Sequence, residues 1–167
     1  MNELNRCRSK GQAYFITTAL SPSQFRPSAE KIRLLCTALV ALKQKHQFSI
    51  DALVILPRYM QCILTLSGGA MDNSRPWRQI LIDFSKLACD EGHNAVSKNE
   101  EEAEFGQKRI FGYPLRDDND FALHMDYLHF NPVSQGLVKQ VSEWPYSTFF
   151  PYVQQGVYPL SWIKNCT

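Results

Sequence analysis

The sequence carries no strong charge of either sign. Eighteen Lys and Arg stand against 16 Asp and Glu in 167 residues, a formal charge of +2. A solvated surface of mixed sign gives that value without a polyanionic partner. There is no Cys-x-x-Cys pair: Cys7, Cys36, Cys62, Cys89 and Cys166 are odd in number and scattered, which argues against a disulfide framework and a cysteine zinc site. No run of 18 apolar residues occurs, and MNELNRCRSKGQ offers no apolar stretch fit for a signal peptide. These absences point to a reducing, cytoplasmic setting with no membrane contact. No internal repeat and no convincing domain boundary is found, so residues 1–167 read as one domain with a continuous core. Within it lie a basic N-terminal arm (1–12), a mobile polar loop (92–107) and an aromatic C-terminal tail (144–167).

What is present is a mixed pattern of strands and helices. AYFITTAL, residues 13–20, is rich in aromatic and β-branched residues and is closed by the turn cluster SPSQFRPS, which predicts a strand. Ser28 can cap the next segment, where Ile32, Leu35, Leu39 and Leu42 recur at helical spacing over 29–47. DALVILPRYMQCILTL, residues 51–66, holds two apolar runs joined at Pro57-Arg58 and predicts a hairpin. Met60, Cys62, Leu64 and Leu66 then share an apolar face with Leu53 and Ile55, while Tyr59 and Gln61 fall on the other. A second helix is expected over 77–90, with Ile80, Phe84 and Leu87 inward. KRIFGYPLR reads as a short extended piece, and Asp117 or Asp118 caps a third helix to about Phe130. This order suits an α+β fold with helices packed on an antiparallel sheet.

The third helix carries the most suggestive pattern. At about 100° per residue, His124, Tyr127 and Asn131 fall within roughly 40° of Asp120, one narrow polar stripe beside the apolar stripe of Phe121, Met125 and Leu128. Asn131 precedes Pro132, which disfavours the helical conformation there, so the helix can end early and swing the amide off the stripe. Asn131 reads equally as a C-terminal cap.

FALHMDYLHFNPVSQGLV, followed by EWPYSTF and GVYPLSW, resembles the C-terminal signature of REP-associated tyrosine transposases, approximately D-F-x-x-H-x-D-Y-I-H-x-N-P-V-K-x-G-L-V, then W-P-Y-S-S-F and G-x-Y-P. The resemblance extends upstream through AYFITTAL, DALVILP, RPWRQILIDFSK and QKRIFGYPLRDDND, and so covers nearly the whole chain. It implies a ferredoxin-like HUH-type fold that binds single-stranded or hairpin DNA of the REP kind. It also implies a reaction in which one tyrosine attacks a phosphodiester and becomes linked to the 5′ phosphate. Position for position that tyrosine is Tyr127, with Asp120, His124 and His129 expected as its neighbours on the helix face. Asn131 corresponds to a residue that helps hold Mg²⁺ or Mn²⁺, and Tyr59 and Gln61 stand where the family has the two histidines of its metal site.

The same alignment shows what has changed. Where the family has W-Q-R-R-F-W-E-H, this chain has Gly106-Gln107-Lys108-Arg109-Ile110-Phe111-Gly112-Tyr113, which keeps the basic pair and loses both tryptophans, the acid and the histidine. The Lys of N-P-V-K is Ser134. With two amides and a neutral phenol as ligands, the divalent metal is expected to be weak or absent and cleavage weakened or lost. The basic residues expected at DNA are Arg6, Arg8, Lys10, Arg75, Arg78, Lys108, Arg109 and Arg116, in a monomer or homodimer. Two alternatives stand beside this reading: an active transposase with an altered metal site, and a non-catalytic module for a protein partner.

Overall fold

The alternating apolar positions of the hairpin are met by a sheet covered on both faces. The computed structural model describes residues 11–19, 29–46, 48–66, 83 and 110–162. Strands β1 (Gln12–Ala19), β2 (Phe48–Ile55), β3 (Tyr59–Leu66) and β4 (Ile110–Pro114) form one antiparallel sheet in the order β2-β3-β1-β4. Around it are helices α1 (Ala29–His46), α2 (Asp118–Ser134) and α3 (Phe149–Gln154). This is the expected α+β, ferredoxin-like arrangement. The helix expected over 77–90 and the loop over 92–107 lie outside the described residues, apart from Asp83, whose carboxylate is 2.7 Å from Lys45 and 2.9 Å from His46 at the end of α1.

Each face of the sheet has its own core. Ile16, Ile55, Met60, Cys62 and Leu64 pack with Leu39 and Leu42 of α1. On the opposite face, Ala13, Phe15, Val54 and Ile63 pack with Phe121, Met125 and Leu128 of α2. Two covered faces explain why β2 and β3 read as near-continuous apolar runs, because both sets of alternating side chains leave water. The hairpin pairs Ile55 with Met60, and the Leu56 N–H donates to the Tyr59 carbonyl at 2.9 Å, so Pro57 and Arg58 are its turn as expected. The register shifts between Ile50 and Ala52. Asp51 is the extra residue of this bulge, and its carboxylate accepts the Thr65 hydroxyl at 2.5 Å.

Helix α2 begins at the N-cap Asp117, whose side chain accepts the Asp120 N–H at 2.8 Å. The expectation of an early end at Phe130 is overturned: the helix runs through Pro132 to Ser134. A proline removes one intrahelical donor, here the bond to the Leu128 carbonyl, but the turns that follow it still close. Gly136, at φ +69°, donates to Val133 at 2.9 Å, and Leu137 donates to Pro132 at 3.0 Å, the paired closure that a left-handed glycine permits. Gly136, not Pro132, ends the helix, and Asn131 stays on its stripe.

The aromatic tail contains α3, and its WPYST segment runs along the outer edge of β2. Ile55 donates to the Tyr146 carbonyl at 2.9 Å, Leu53 and Thr148 bond in both directions, and the Trp144 indole donates to the Ile55 carbonyl at 3.1 Å. An open strand edge is thereby closed. Phe149, Tyr152 and Tyr158 pack beside His129 of α2, which is fully buried and shares a 2.9 Å hydrogen bond with the Thr148 hydroxyl.

Burial pushes the His129 imidazole down to about 3 from an ordinary 6.5. A histidine depressed on folding stabilises fully above its unfolded value and loses that contribution as pH falls from about 6.5 towards 3, at up to about 1.4 kcal/mol per pH unit. Urea denaturation across this range should show that acid sensitivity, and His129→Leu should flatten the slope relative to the parent. Equal slopes would show that the imidazole is not held neutral.

Candidate functional site

The two flanks of α2 meet different surroundings. His129, expected on the helix face of Asp120 and His124, lies instead across the helix from them in the aromatic tail cluster, because at about 100° per residue it falls roughly 140° from His124. The Asp120 flank faces β3, β1 and β4, and Asp120, His124, Tyr127 and Asn131 are found on it as expected.

At the start of this flank the Asp120 carboxylate accepts the Arg116 N–H at 3.0 Å and its side-chain Nε at 3.4 Å. The backbone N–H of Arg116, foremost, holds that carboxyl below the usual carboxylate range. One turn on, His124 Nδ1 is 2.7 Å from the Asp120 carbonyl and 3.3 Å from its carboxylate. A carbonyl only accepts, so Nδ1 carries a proton, and in the neutral imidazole Nε2 is the acceptor. Its donor is the Tyr113 hydroxyl of β4, 2.6 Å away. Burial first, then the charges of Asp120 and Tyr127, raise the Tyr113 phenol above its ordinary range.

Tyr127 follows, 45% exposed, with its ring 6.1 Å edge-on to Phe15. Phe15 also packs against His124 at 5.0 Å and Tyr113 at 5.7 Å, so three polar-tipped rings surround one apolar ring of β1.

One turn further, the helix meets the hairpin. Asn131, only 3% exposed, donates to Gln61 Oε1 at 2.6 Å, and Gln61 donates to the Thr17 hydroxyl at 3.3 Å. The Tyr59 hydroxyl donates to Asn131 Oδ1 at 3.4 Å, and Gln135 donates to Tyr59. The three positions picked from sequence for a metal, Tyr59, Gln61 and Asn131, therefore converge from β3 and α2. They are joined by hydrogen bonds among uncharged groups, and the Gln61 and Asn131 side-chain oxygens each have a donor.

The chain is similar over its full length to proteins of one kind. A protein of Escherichia coli K12 named REP-associated tyrosine transposase is 35% identical over 167 residues, covering 100% of this chain and 94% of its own. The chain belongs to the REP-associated tyrosine transposase family. A Haemophilus influenzae protein provisionally given the same family name is 28% identical, covering 99% of this chain and 95% of its own. Among solved structures, a REP-associated tyrosine transposase bound to a REP hairpin matches with a TM-score of 0.66 at 33% identity, over 95% of this chain and 89% of that one. No protein-family model matches the chain.

Of the basic residues expected at DNA, Arg6, Arg8, Lys10, Arg75, Arg78, Lys108 and Arg109 lie outside the described residues. Arg116 lies within them, just before the N-cap of α2, with its guanidinium largely exposed. Sequence reasoning noted Tyr113 only as a departure from the family pattern and missed Thr17 and Gln135 altogether. Alternation gives only that Thr17 shares a β1 face with Phe15; its pairing with Gln61 is set by the register of β1 against β3.

The amide pair between α2 and β3 predicts an energetic asymmetry. Asn131→Ala leaves the buried Gln61 oxygen without its donor and should cost about 1–3 kcal/mol. Tyr127→Phe, at a half-exposed position, should stay within about 0.5 kcal/mol. Urea denaturation of the two variants checks this, and an Asn131→Ala protein as stable as the parent would show that the pair does not tie helix to sheet.

Proposed function

We propose that the chain binds single-stranded or hairpin DNA of the REP type, and that strand cleavage through Tyr127 is weakened or lost in it. The binding half is supported by full-length likeness to a family member solved with a REP hairpin. The observation that carries the catalytic half is the hydrogen-bonded set Tyr59–Asn131–Gln61. A hard divalent cation needs oxygen ligands with lone pairs to give, usually carboxylates, or imidazoles for the softer metals. Here the set is a phenol and two amides, none of them anionic, already hydrogen-bonded to one another. The set does not fit the metal that the family resemblance implies, and the transition-state stabilisation of several kcal/mol that a clamped cation can supply is then missing. Tyr127 remains exposed on its helix and is the phenol that we assign as the family's nucleophile.

Binding should consequently be indifferent to chelation. A gel-shift titration with single-stranded REP-like hairpins should show the same affinity in EDTA and in Mn²⁺, and affinity should fall as salt rises, because phosphate contacts release counterions. Absence of binding at low salt to any structured single strand would favour the protein-partner alternative. A strong Mn²⁺-dependent covalent adduct on a denaturing gel would favour the active-transposase alternative. Any adduct attributable to this reaction should disappear in Tyr127→Phe while the shift remains.

Replacing both Tyr59 and Gln61 by histidine should raise Mn²⁺ affinity, since the two positions lie one strand repeat apart on one face, about 6–7 Å between backbone origins, and imidazole is a far better ligand than phenol. Calorimetry on the folded double variant reads this directly. No gain in Mn²⁺ affinity would show that the two positions do not form half of a cation site.

A further inference from the structure

Tyr127 is not the only phenol on this flank, and one of the others, Tyr113, has a base. The Tyr113 hydroxyl lies 2.6 Å from His124 Nε2. In its neutral form the imidazole is turned to accept at Nε2, because its Nδ1 is committed to the Asp120 carbonyl at 2.7 Å with the Asp120 carboxylate at 3.3 Å. That carboxylate is itself fixed by the Arg116 N–H at 3.0 Å. A weak nucleophile, a base within hydrogen-bond reach and a third group that orients the base is the general arrangement for activating a hydroxyl. The carboxylate can also stabilise the imidazolium that forms when the proton moves. Tyr113 stands on β4, at the edge of the sheet, is partly exposed and packs on the same Phe15 ring as Tyr127.

We propose that Tyr113 is a second nucleophile of this site, activated by His124 and oriented through Asp120, so that the chain presents two tyrosines to a phosphodiester. In the step itself, Tyr113 Oη forms a bond to phosphorus as the bond from phosphorus to its leaving oxygen breaks. The phenolic proton passes to His124 Nε2, which returns it to the departing oxygen or to water. No metal, oxidant or other co-reactant is needed for the balance. A phenol, with an ordinary pKa near ~10, is protonated near neutrality, so the step needs the base. The choice of a phosphodiester as the electrophile rests on the function proposed above, whereas the pairing of phenol and base does not.

The test separates the two. The full-length protein is incubated in EDTA with the 4-nitrophenyl ester of thymidine 5′-phosphate, whose nitrophenolate leaves without protonation or metal, and labelled tyrosines are mapped by peptide mass spectrometry. Thymidylate should appear on Tyr113. Tyr113→Phe, which keeps the ring on Phe15, should abolish that label. His124→Gln should slow it about 100-fold, the lower end of what general-base help supplies. A label confined to Tyr127, a Tyr113 label that His124→Gln does not slow, or no label on folded protein would each overturn the proposal. Hairpin binding is read in parallel by gel shift: binding without a Tyr113 label sinks this inference alone, and a Tyr113 label without binding sinks only the reading of the protein as a DNA binder.

Discussion

Helix α2 lies flat across the sheet because one apolar stripe continues along it from Phe121 through Met125 and Leu128 to Pro132, all buried. Burying side chains of this size stabilises by roughly 1.5–3 kcal/mol each, which makes the seating of α2 the constraint on which the rest of the site depends. Rotate the helix by a third of a turn and Asn131 would leave Gln61, His124 would leave Tyr113 and His129 would leave the aromatic tail. The polar flanks do not position the helix alone. They are positioned by the apolar stripe between them and then lock the rotation with directional bonds.

The two ends of the reactive flank are built on different electrostatics. Near β4 the Arg116–Asp120–His124–Tyr113 chain contains full charges, an ionised carboxylate and an imidazole with a defined tautomer. Near β3 the Tyr59–Asn131–Gln61–Thr17 set is uncharged throughout. An uncharged, mutually satisfied set stabilises the interface of helix and strand but has little left with which to polarise a phosphate. A chain ending in a base can still move a proton. Tyr127 sits between the two, so the chemistry open to this flank is proton transfer from the β4 side and little electrophilic assistance from the β3 side.

The tail gives the sheet its boundary. Antiparallel hairpins leave their outer strand unpaired, and here the backbone of 146–148 takes up the β2 edge while Trp144 caps its last carbonyl. The same segment supplies the Thr148 hydroxyl to His129. An edge cover and a helix anchor are thus one piece of chain, which ties the far flank of α2 to the margin of the sheet opposite β4.

Much of this was legible in the sequence, where local rules apply. Period-two alternation and the Pro57-Arg58 joint defined the hairpin and put Tyr59 and Gln61 on one face. The 3.6-residue period placed Asp120, His124, Tyr127 and Asn131 on one stripe, and the signature around Tyr127 identified the family. Beyond that reach lay everything decided by two segments meeting. The end of α2 could not be read from Pro132, because a proline near the last turn costs one bond whose loss depends on what closes behind it, and Gly136 closed it. Whether the three metal positions would point outward for a cation or inward to one another depended on the distance between β3 and α2, which no spacing along either encodes. The pairing of Tyr113 with His124 depended on the register of β4 against β1, set by the packing of both sheet faces. Sequence by itself determined which residues share a strand face or a helix stripe, since that follows from backbone geometry alone. Only the tertiary structure decided which faces meet, because that choice is made by the summed burial of the whole core.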